Sequence, residues 1–184
     1  MVGMPICLEN GRHRKFKIVR KGFLKVERLK YNIRWLLVVG WICMIFYFSS
    51  QEGAVSHQRS FTIAFYIERI IEYVFARDII TDFNRKSFEF FVRKLAHVSE
   101  YFVLTMLFYK SFYAKERNYK KSAIKSFIFS FLYAVSDEIH QMFVAGRGPS
   151  PVDVGVDSIG MFLYLIPKLL KGKLKKRTGQ CNIK

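Results

Sequence analysis

Four long apolar segments recur within the 184 residues of this chain. The first, 35–49, has no charged side chain and, read from Tyr31, approaches the ~20 residues that cross a hydrocarbon core. The other three contain a few polar side chains and cover 95–112, 127–144 and 153–170. Four such segments in so short a chain are better explained as membrane-spanning helices than as core helices of a soluble domain.

The position of the basic residues predicts how these segments cross the membrane. The chain has 31 Lys and Arg against 14 Asp and Glu, a formal net charge of +17. If the N-terminus is cytoplasmic, the basic residues within 12–34, 110–125 and 168–177 all lie on one side. The outer segment 51–86 has five Lys and Arg balanced by five Asp and Glu. The positive-inside rule therefore predicts a multi-pass protein of a bacterial cell membrane with both termini cytoplasmic.

The same charge distribution argues against a nucleic-acid partner. The basic residues are confined to the loops and tails of one face, where anionic lipid attracts each of them by about 1 kcal/mol. The sequence has no aromatic-basic RNA motif, and its three cysteines form no Cys-x-x-Cys pair. We expect membrane lipids as partners, with anionic lipids on the cytoplasmic face.

These patterns predict an all-α integral membrane bundle of about four transmembrane helices. Isoleucine and valine recur at helical spacing within 61–76, which indicates an amphipathic helix in the first outer loop. This helix would pack either on lipid or over the bundle. We expect a basic cytoplasmic segment at 1–34, a transmembrane domain at 35–170 and a basic cytoplasmic tail at 171–184.

Three of the predicted spans carry polar side chains along one face. Ionisable groups in a membrane are expensive to bury and usually face a partner or an aqueous cavity. At about 100° per residue, the polar residues of each span share one side and lie toward the outer half of the membrane, which predicts one shared pocket. Gly160 would allow close packing of the last span. The three stripes consist of Arg93, Lys94, His97, Glu100 and Tyr101; of Ser130, Tyr133, Asp137, His140 and Gln141; and of Asp153, Asp157, Gly160 and Tyr164.

Three sequence blocks resemble the VanZ-like membrane protein family, which is named for a teicoplanin-resistance protein. They are FYFSSQEGAVS (46–56), RKLAHVSEY (93–101) and YAVSDEIHQMFVAGRGPSPVDVGVDSIG (133–160). The resemblance implies a small multi-helix membrane protein linked to antibiotic resistance, and it supplies no reaction. The matching positions are Ser50, Gln51, Arg93, Lys94, His97, Glu100, Tyr101, Asp137, Glu138, His140, Gln141, Arg147, Asp153, Asp157 and Gly160.

The pocket is predicted to act on a lipid or a lipid-linked molecule of the cell envelope, as a hydrolase or a transferase would. His97 or His140 would serve as general base, with a carboxylate orienting the ring. The sequence leaves open whether a divalent metal binds, because histidine and carboxylates suit zinc or manganese. No metal ligand is assigned. The candidate catalytic residues are His97, Glu100, Asp137, His140, Asp153 and Asp157, and the candidate substrate-binding residues are Arg93, Lys94, Tyr101, Gln141 and Arg147.

Other functions also fit the sequence. The same residues could form a site without chemistry, which binds an anionic headgroup or clamps the bundle through buried ion pairs. A transporter is disfavoured, because four spans without an inverted repeat are few. Asp153 follows Gly-Pro-Ser-Pro and could simply cap the last helix. Glu138 lies about 100° from the centre of its stripe and is predicted to point sideways.

Overall fold

A computed structural model of the chain describes residues 9–75, 82–148 and 150–181, with side chains described within 26–74, 85–148 and 150–174. Over these residues the fold consists of five helices, and the prediction of an all-α protein is confirmed. Helices α1, α3 and α5 contain three of the four apolar segments, α4 contains the third segment as far as Gln141, and α2 contains the predicted amphipathic segment as far as Phe75. The helices are α1 (Glu9–Ser49), α2 (Gly53–Phe75), α3 (Asp82–Glu116), α4 (Tyr119–Gln141) and α5 (Pro151–Cys181).

One stretch within the described residues is long and apolar enough to cross a membrane by length and composition. This is Val26–Ser49 of α1, with a mean hydropathy of 1.5, and little of its surface is buried against other helices. Ionisable side chains interrupt the apolar segments of α3, α4 and α5. The number of spans therefore stays a prediction.

Helix α3 lies at the centre and contacts each of the other four helices. Its Tyr101 and Leu104 are fully buried, and they belong to a core cluster with Val38 of α1 and Met161 of α5. Many large apolar side chains on the outside remain exposed, among them Leu36, which is 69% exposed. An apolar outer surface around a packed core suits a lipid environment, since soluble proteins rarely expose so much contiguous apolar surface.

Helices α3 and α5 approach each other closely at Gly160. A Cβ atom at this position would lie 2.1 Å from the backbone oxygen of Val98, so only glycine fits without moving a helix. The close packing predicted for Gly160 is confirmed, and it fixes the distance between the polar faces of α3 and α5.

One face of α2 packs on α3, while the other is unpartnered among the described residues. Ala64 and Glu68 are each 3% exposed, and the Glu68 carboxylate accepts a hydrogen bond from Arg85 of α3 at 3.0 Å. Ile70 and Tyr73 on the outer face are 63% and 89% exposed. The amphipathic helix thus packs over the bundle and still presents an apolar face outward.

The predicted segment boundaries at 34/35 and 170/171 fall inside continuous helices. Helix α1 begins at Glu9 and includes most of the basic N-terminal segment, and α5 continues past residue 170 to Cys181. Residues 1–8 and 182–184 of the predicted terminal segments lie outside the described residues.

Candidate functional site

Polar side chains gather at the end of the bundle where α1 and α4 end and where α2 and α5 begin. Two adjoining cavities of about 280 and 370 Å³ open there beside the middle of α3. Both are lined by Ser56, Arg93, His97 and Arg147, and together they form what we call the polar cleft. The smaller cavity also reaches Glu100 and Asp137, and the larger one reaches Gln141 and Asp153.

Two glycines hold the start of α2 against the loop between α4 and α5. The backbone nitrogen of Gly53 donates a hydrogen bond to the oxygen of Ala145 at 3.0 Å. A Cβ atom on Gly53 would lie 2.1 Å from the oxygen of Gly146, and Gly146 has a φ of +73°, a conformation that favours glycine. These contacts place α2 and the loop along the walls of the polar cleft.

His97 lies near two carboxylates from two helices. Its Nδ1 is 3.7 Å from Asp157 Oδ1 on α5 and 3.9 Å from Glu100 Oε2 on its own helix. The Asp157 side chain is only 6% exposed, and its Oδ1 accepts no hydrogen bond from the described residues. A histidine that faces a cavity and has a carboxylate behind it has the arrangement that acid–base catalysis uses.

Asp137 is a buried carboxylate in the lining of the smaller cavity. Its Oδ2 accepts a hydrogen bond from Gln141 Nε2 at 3.0 Å, one turn later on α4. Its Oδ1 is buried and accepts no hydrogen bond within the described part of the chain. A buried carboxylate oxygen without a partner is costly and uncommon in folded proteins, which makes Asp137 a candidate site residue.

Arg147 is a cation that the described residues leave without an ion-pair partner. Its Nη2 donates a hydrogen bond to the backbone oxygen of Phe48 at 3.2 Å, which fixes the guanidinium at the end of α1. Burial lowers the pKa of Arg147, and the nearby Asp137 carboxylate opposes this shift. Because arginine stays protonated in proteins, the polar cleft holds a half-buried positive charge.

Two sets of polar contacts join the helices that form the cleft. Lys94 Nζ of α3 contacts Asp153 Oδ1 in the first turn of α5. Glu89, buried on α3, lies 2.6 Å from His57 Nδ1 of α2 and 3.2 Å from Arg93 Nη2. Asp153 therefore has a partner on another helix, which a cap alone would not require.

The structure brings most of the predicted site residues together. Asp157 and Lys94 lie directly behind the lining, where they contact His97 and Asp153. Two residues lie outside it: Tyr101 is fully buried in the core, and the His140 ring packs on Phe46 with 4.6 Å between ring centroids. Their functional roles stay predictions. The lining contains Arg93, His97, Glu100, Asp137, Gln141, Arg147 and Asp153.

Glu138 lies aside from the cleft lining, in agreement with its angular offset. Its carboxylate accepts a hydrogen bond from the backbone nitrogen of Ser150, immediately before α5. A carboxylate at a helix N-terminus satisfies an otherwise unpaired donor and interacts favourably with the helix dipole. Glu138 thus stabilises the start of the helix that carries Asp153 and Asp157.

The sequence reasoning missed the contribution of α2 to the site. Ser56, His57 and Arg59 line the cleft, whereas the sequence predicts only an outer segment at 51–86 with an amphipathic helix at 61–76 and no site residue there. The four-residue spacing of Glu89 and Arg93 is the one local signal that could have predicted part of this network, because such residues are neighbours on a helix.

The described residues contain no group of three or more His, Cys, Asp or Glu side chains that could hold a metal ion. The polar cleft contains cations that can bind an anion. It also contains a histidine that lies near carboxylates and can transfer a proton. Both features occur at the same end of the bundle.

Comparisons with known proteins agree with the membrane character of the fold. Residues 34–170 match the family model described as VanZ/LLP1. The chain is 28% identical over 130 residues to YwnJ of Bacillus subtilis (strain 168), described as an uncharacterized membrane protein. That match covers 70% of this chain and 85% of the relative. No solved structure matches the chain.

Proposed function

The chain belongs to the VanZ/LLP1 family of membrane proteins, and from this premise we propose that its polar cleft binds the anionic headgroup of an envelope lipid or a lipid-linked envelope molecule. The proposal includes four spans and two cytoplasmic termini, so that the cleft opens on the outer side of the membrane. The basic loops on the opposite side support this orientation.

The observation that carries the proposal is Arg147. A half-buried guanidinium without an ion pair among the described residues favours an anionic partner, since desolvated charge is expensive to leave unpaired. Arg93 and Arg59 line the same cleft and add positive charge nearby. Guanidinium groups bind phosphate and carboxylate through paired hydrogen bonds, which are the groups that envelope headgroups present.

We assign the chemistry, a hydrolysis or a transfer, to His97. Its position near Asp157 and Glu100 supports proton transfer to or from a headgroup held by Arg147. Asp137 would accept a hydrogen bond from a hydroxyl or an amine of the ligand. The family resemblance supports a link to teicoplanin sensitivity, through a change in an envelope lipid.

Contacts between the helices favour a second function for some of the same residues, which is to clamp the helix bundle without catalysing a reaction. Lys94 and Asp153 join α3 to α5, and Glu89 joins His57 of α2 to Arg93. We therefore assign Lys94 and Asp153 to positioning the helices, and Arg147 and His97 to the ligand.

The binding proposal is tested with Arg147→Gln, which keeps the size and polarity of the side chain and removes its charge. The purified full-length protein is compared with the variant by native mass spectrometry of the anionic envelope lipids that it retains. Because a hydrogen bond to a charged group contributes about 1.5–3 kcal/mol, we expect occupancy of the retained lipid to fall roughly tenfold or more.

Arg69→Gln is the matched control for this experiment. Arg69 lies on α2, is 70% exposed, and pairs with Glu72 away from the polar cleft. Its replacement should leave lipid retention unchanged. Equal retention by wild type and Arg147→Gln would overturn the proposal.

A further inference from the structure

A cavity of about 800 Å³ lies at the opposite end of the bundle from the polar cleft. Its walls come from α1, from the end of α3, from the first residue of α4 and from α5. None of the residues predicted for catalysis or substrate binding lines it. We call it the basic cavity because five cations line it: Arg34, Lys110, Arg117, Lys168 and Lys171.

The charge of the basic cavity is unbalanced. Glu27 is the one carboxylate in its described lining, and it already lies 3.4 Å from Lys30 Nζ outside the cavity. The ion pairs found among the described residues include none of the five cations. Cations drawn from several helices into one cavity repel one another unless an anion lies between them.

Tyrosines form one side of the basic cavity. Tyr109 and Tyr164 are each 8% exposed and pack edge to face, with ring centroids 5.7 Å apart. Tyr113 stacks on Tyr109 at a centroid distance of 5.7 Å, and Lys168 Nζ lies 5.4 Å from the Tyr164 centroid. These packed rings give the cavity a rigid wall that carries hydroxyl groups, which can donate to an anion.

The backbone at the α3–α4 turn is also specialised. Arg117 has a φ of +52°, a left-handed conformation that is uncommon for a residue other than glycine. Asn118 follows and caps α4, accepting hydrogen bonds from the backbone nitrogens of Lys120 and Lys121 at 3.1 Å. At the other wall, a Cβ atom on Gly172 would lie 2.5 Å from the Tyr119 ring. The turn and the tight helix contact fix the opening of the cavity.

We propose that the basic cavity is a second binding site, specific for a phosphate-bearing anion. A phosphate group offers several acceptor oxygens and one or two negative charges, which match clustered arginine and lysine side chains. The cavity lies where the uncharged part of α1 begins, at the end of the molecule that carries the basic residues. The phosphate can come from a lipid headgroup at the membrane surface or from a soluble phosphate ester.

Native mass spectrometry of the full-length protein tests the proposal with two probes. Phosphatidylglycerol in phosphatidylcholine mixed micelles supplies the lipid form, and glycerol 3-phosphate supplies the soluble form. The site variant is Lys110→Gln combined with Lys168→Gln, two exposed lysines of the lining. We expect this double variant to lower the affinity for the preferred probe at least tenfold. The loss should be the same when Arg147→Gln is also present, because the polar cleft does not take part in this binding.

Lys115→Gln combined with Lys173→Gln is the charge-matched control. Both lysines are exposed near the same end of the molecule and lie outside the lining. A specific site predicts that this variant binds like wild type, and preference for one probe identifies the source of the phosphate. An equal loss in both double variants would show general attraction to basic residues and overturn the proposal. Failure of wild type to bind either probe would overturn it as well.

Discussion

His97 and His140 belong to neighbouring polar stripes, and the structure gives them different surroundings. His97 lines the polar cleft with carboxylate oxygens 3.7 and 3.9 Å from its Nδ1. His140 packs its ring on Phe46, and its Nδ1 is buried without a hydrogen bond in the described part of the chain. These surroundings favour His97 over His140 for the proposed acid–base role, and the role of either histidine stays a prediction.

We expect His97→Asn to remove function while leaving the fold largely intact. Asparagine keeps hydrogen-bonding capacity but does not titrate near neutral pH. The measurement is teicoplanin sensitivity of an expressing host, taken with membrane abundance and thermal unfolding in detergent. His140→Asn should keep the phenotype of wild type. A fully functional His97→Asn protein would contradict the assignment, and a parallel loss of abundance and function would favour a structural role.

The sequence predicts which residues are polar on each helix but not which partners they meet. The stripes on three helices predicted most of the cleft lining, because ionisable groups in a membrane must face one another or water. The pairing of His57 with Glu89 depends on how α2 folds back, and this follows from the contact between Gly53 and Gly146. No local pattern encodes a contact between residues so far apart in the chain.

At the scale of helices, the apolar segments predict where each helix lies better than they predict how long it is. Helix α3 begins at Asp82, well before its apolar segment at 95, and α1 begins at Glu9. Arginine, lysine and glutamate favour helix nearly as well as leucine does, so the helices continue through charged sequence. Packing between helices then depends on small residues, and Gly160 between α3 and α5 is the clearest case.

Gly160→Ala should destabilise the bundle. Its Cβ would lie 2.1 Å from the backbone oxygen of Val98, and neither backbone can yield without moving a helix. Overpacking of this kind costs about 1–3 kcal/mol, which thermal unfolding in detergent measures.

Gly155→Ala on the same helix is the control, because nothing lies within 4 Å of its Cβ position. It should be neutral or slightly stabilising, since alanine favours helix over glycine by roughly 0.5–1 kcal/mol. Equal stability of the two variants would contradict the close contact.

At the scale of the molecule, two polar cavities lie at opposite ends of one helical bundle. The polar cleft mixes arginines with carboxylates, whereas the basic cavity has five cations and one carboxylate in its described lining. The apolar surface between them suits the membrane interior. The two sites would therefore face opposite sides of the membrane, which is the arrangement that the distribution of basic residues predicts.

Labelling of introduced cysteines tests most directly whether the polar cleft and the basic cavity face opposite sides of the membrane. Gly148→Cys lies in the loop beside the polar cleft, and Lys120→Cys lies at the start of α4 near the basic cavity. Each is placed in a background whose native Cys7, Cys43 and Cys181 are replaced by serine, and intact cells are treated with a membrane-impermeant maleimide. The account predicts that Gly148→Cys is labelled in intact cells and that Lys120→Cys is labelled only after permeabilisation. The reverse pattern, or labelling of both positions from the same side, would contradict it.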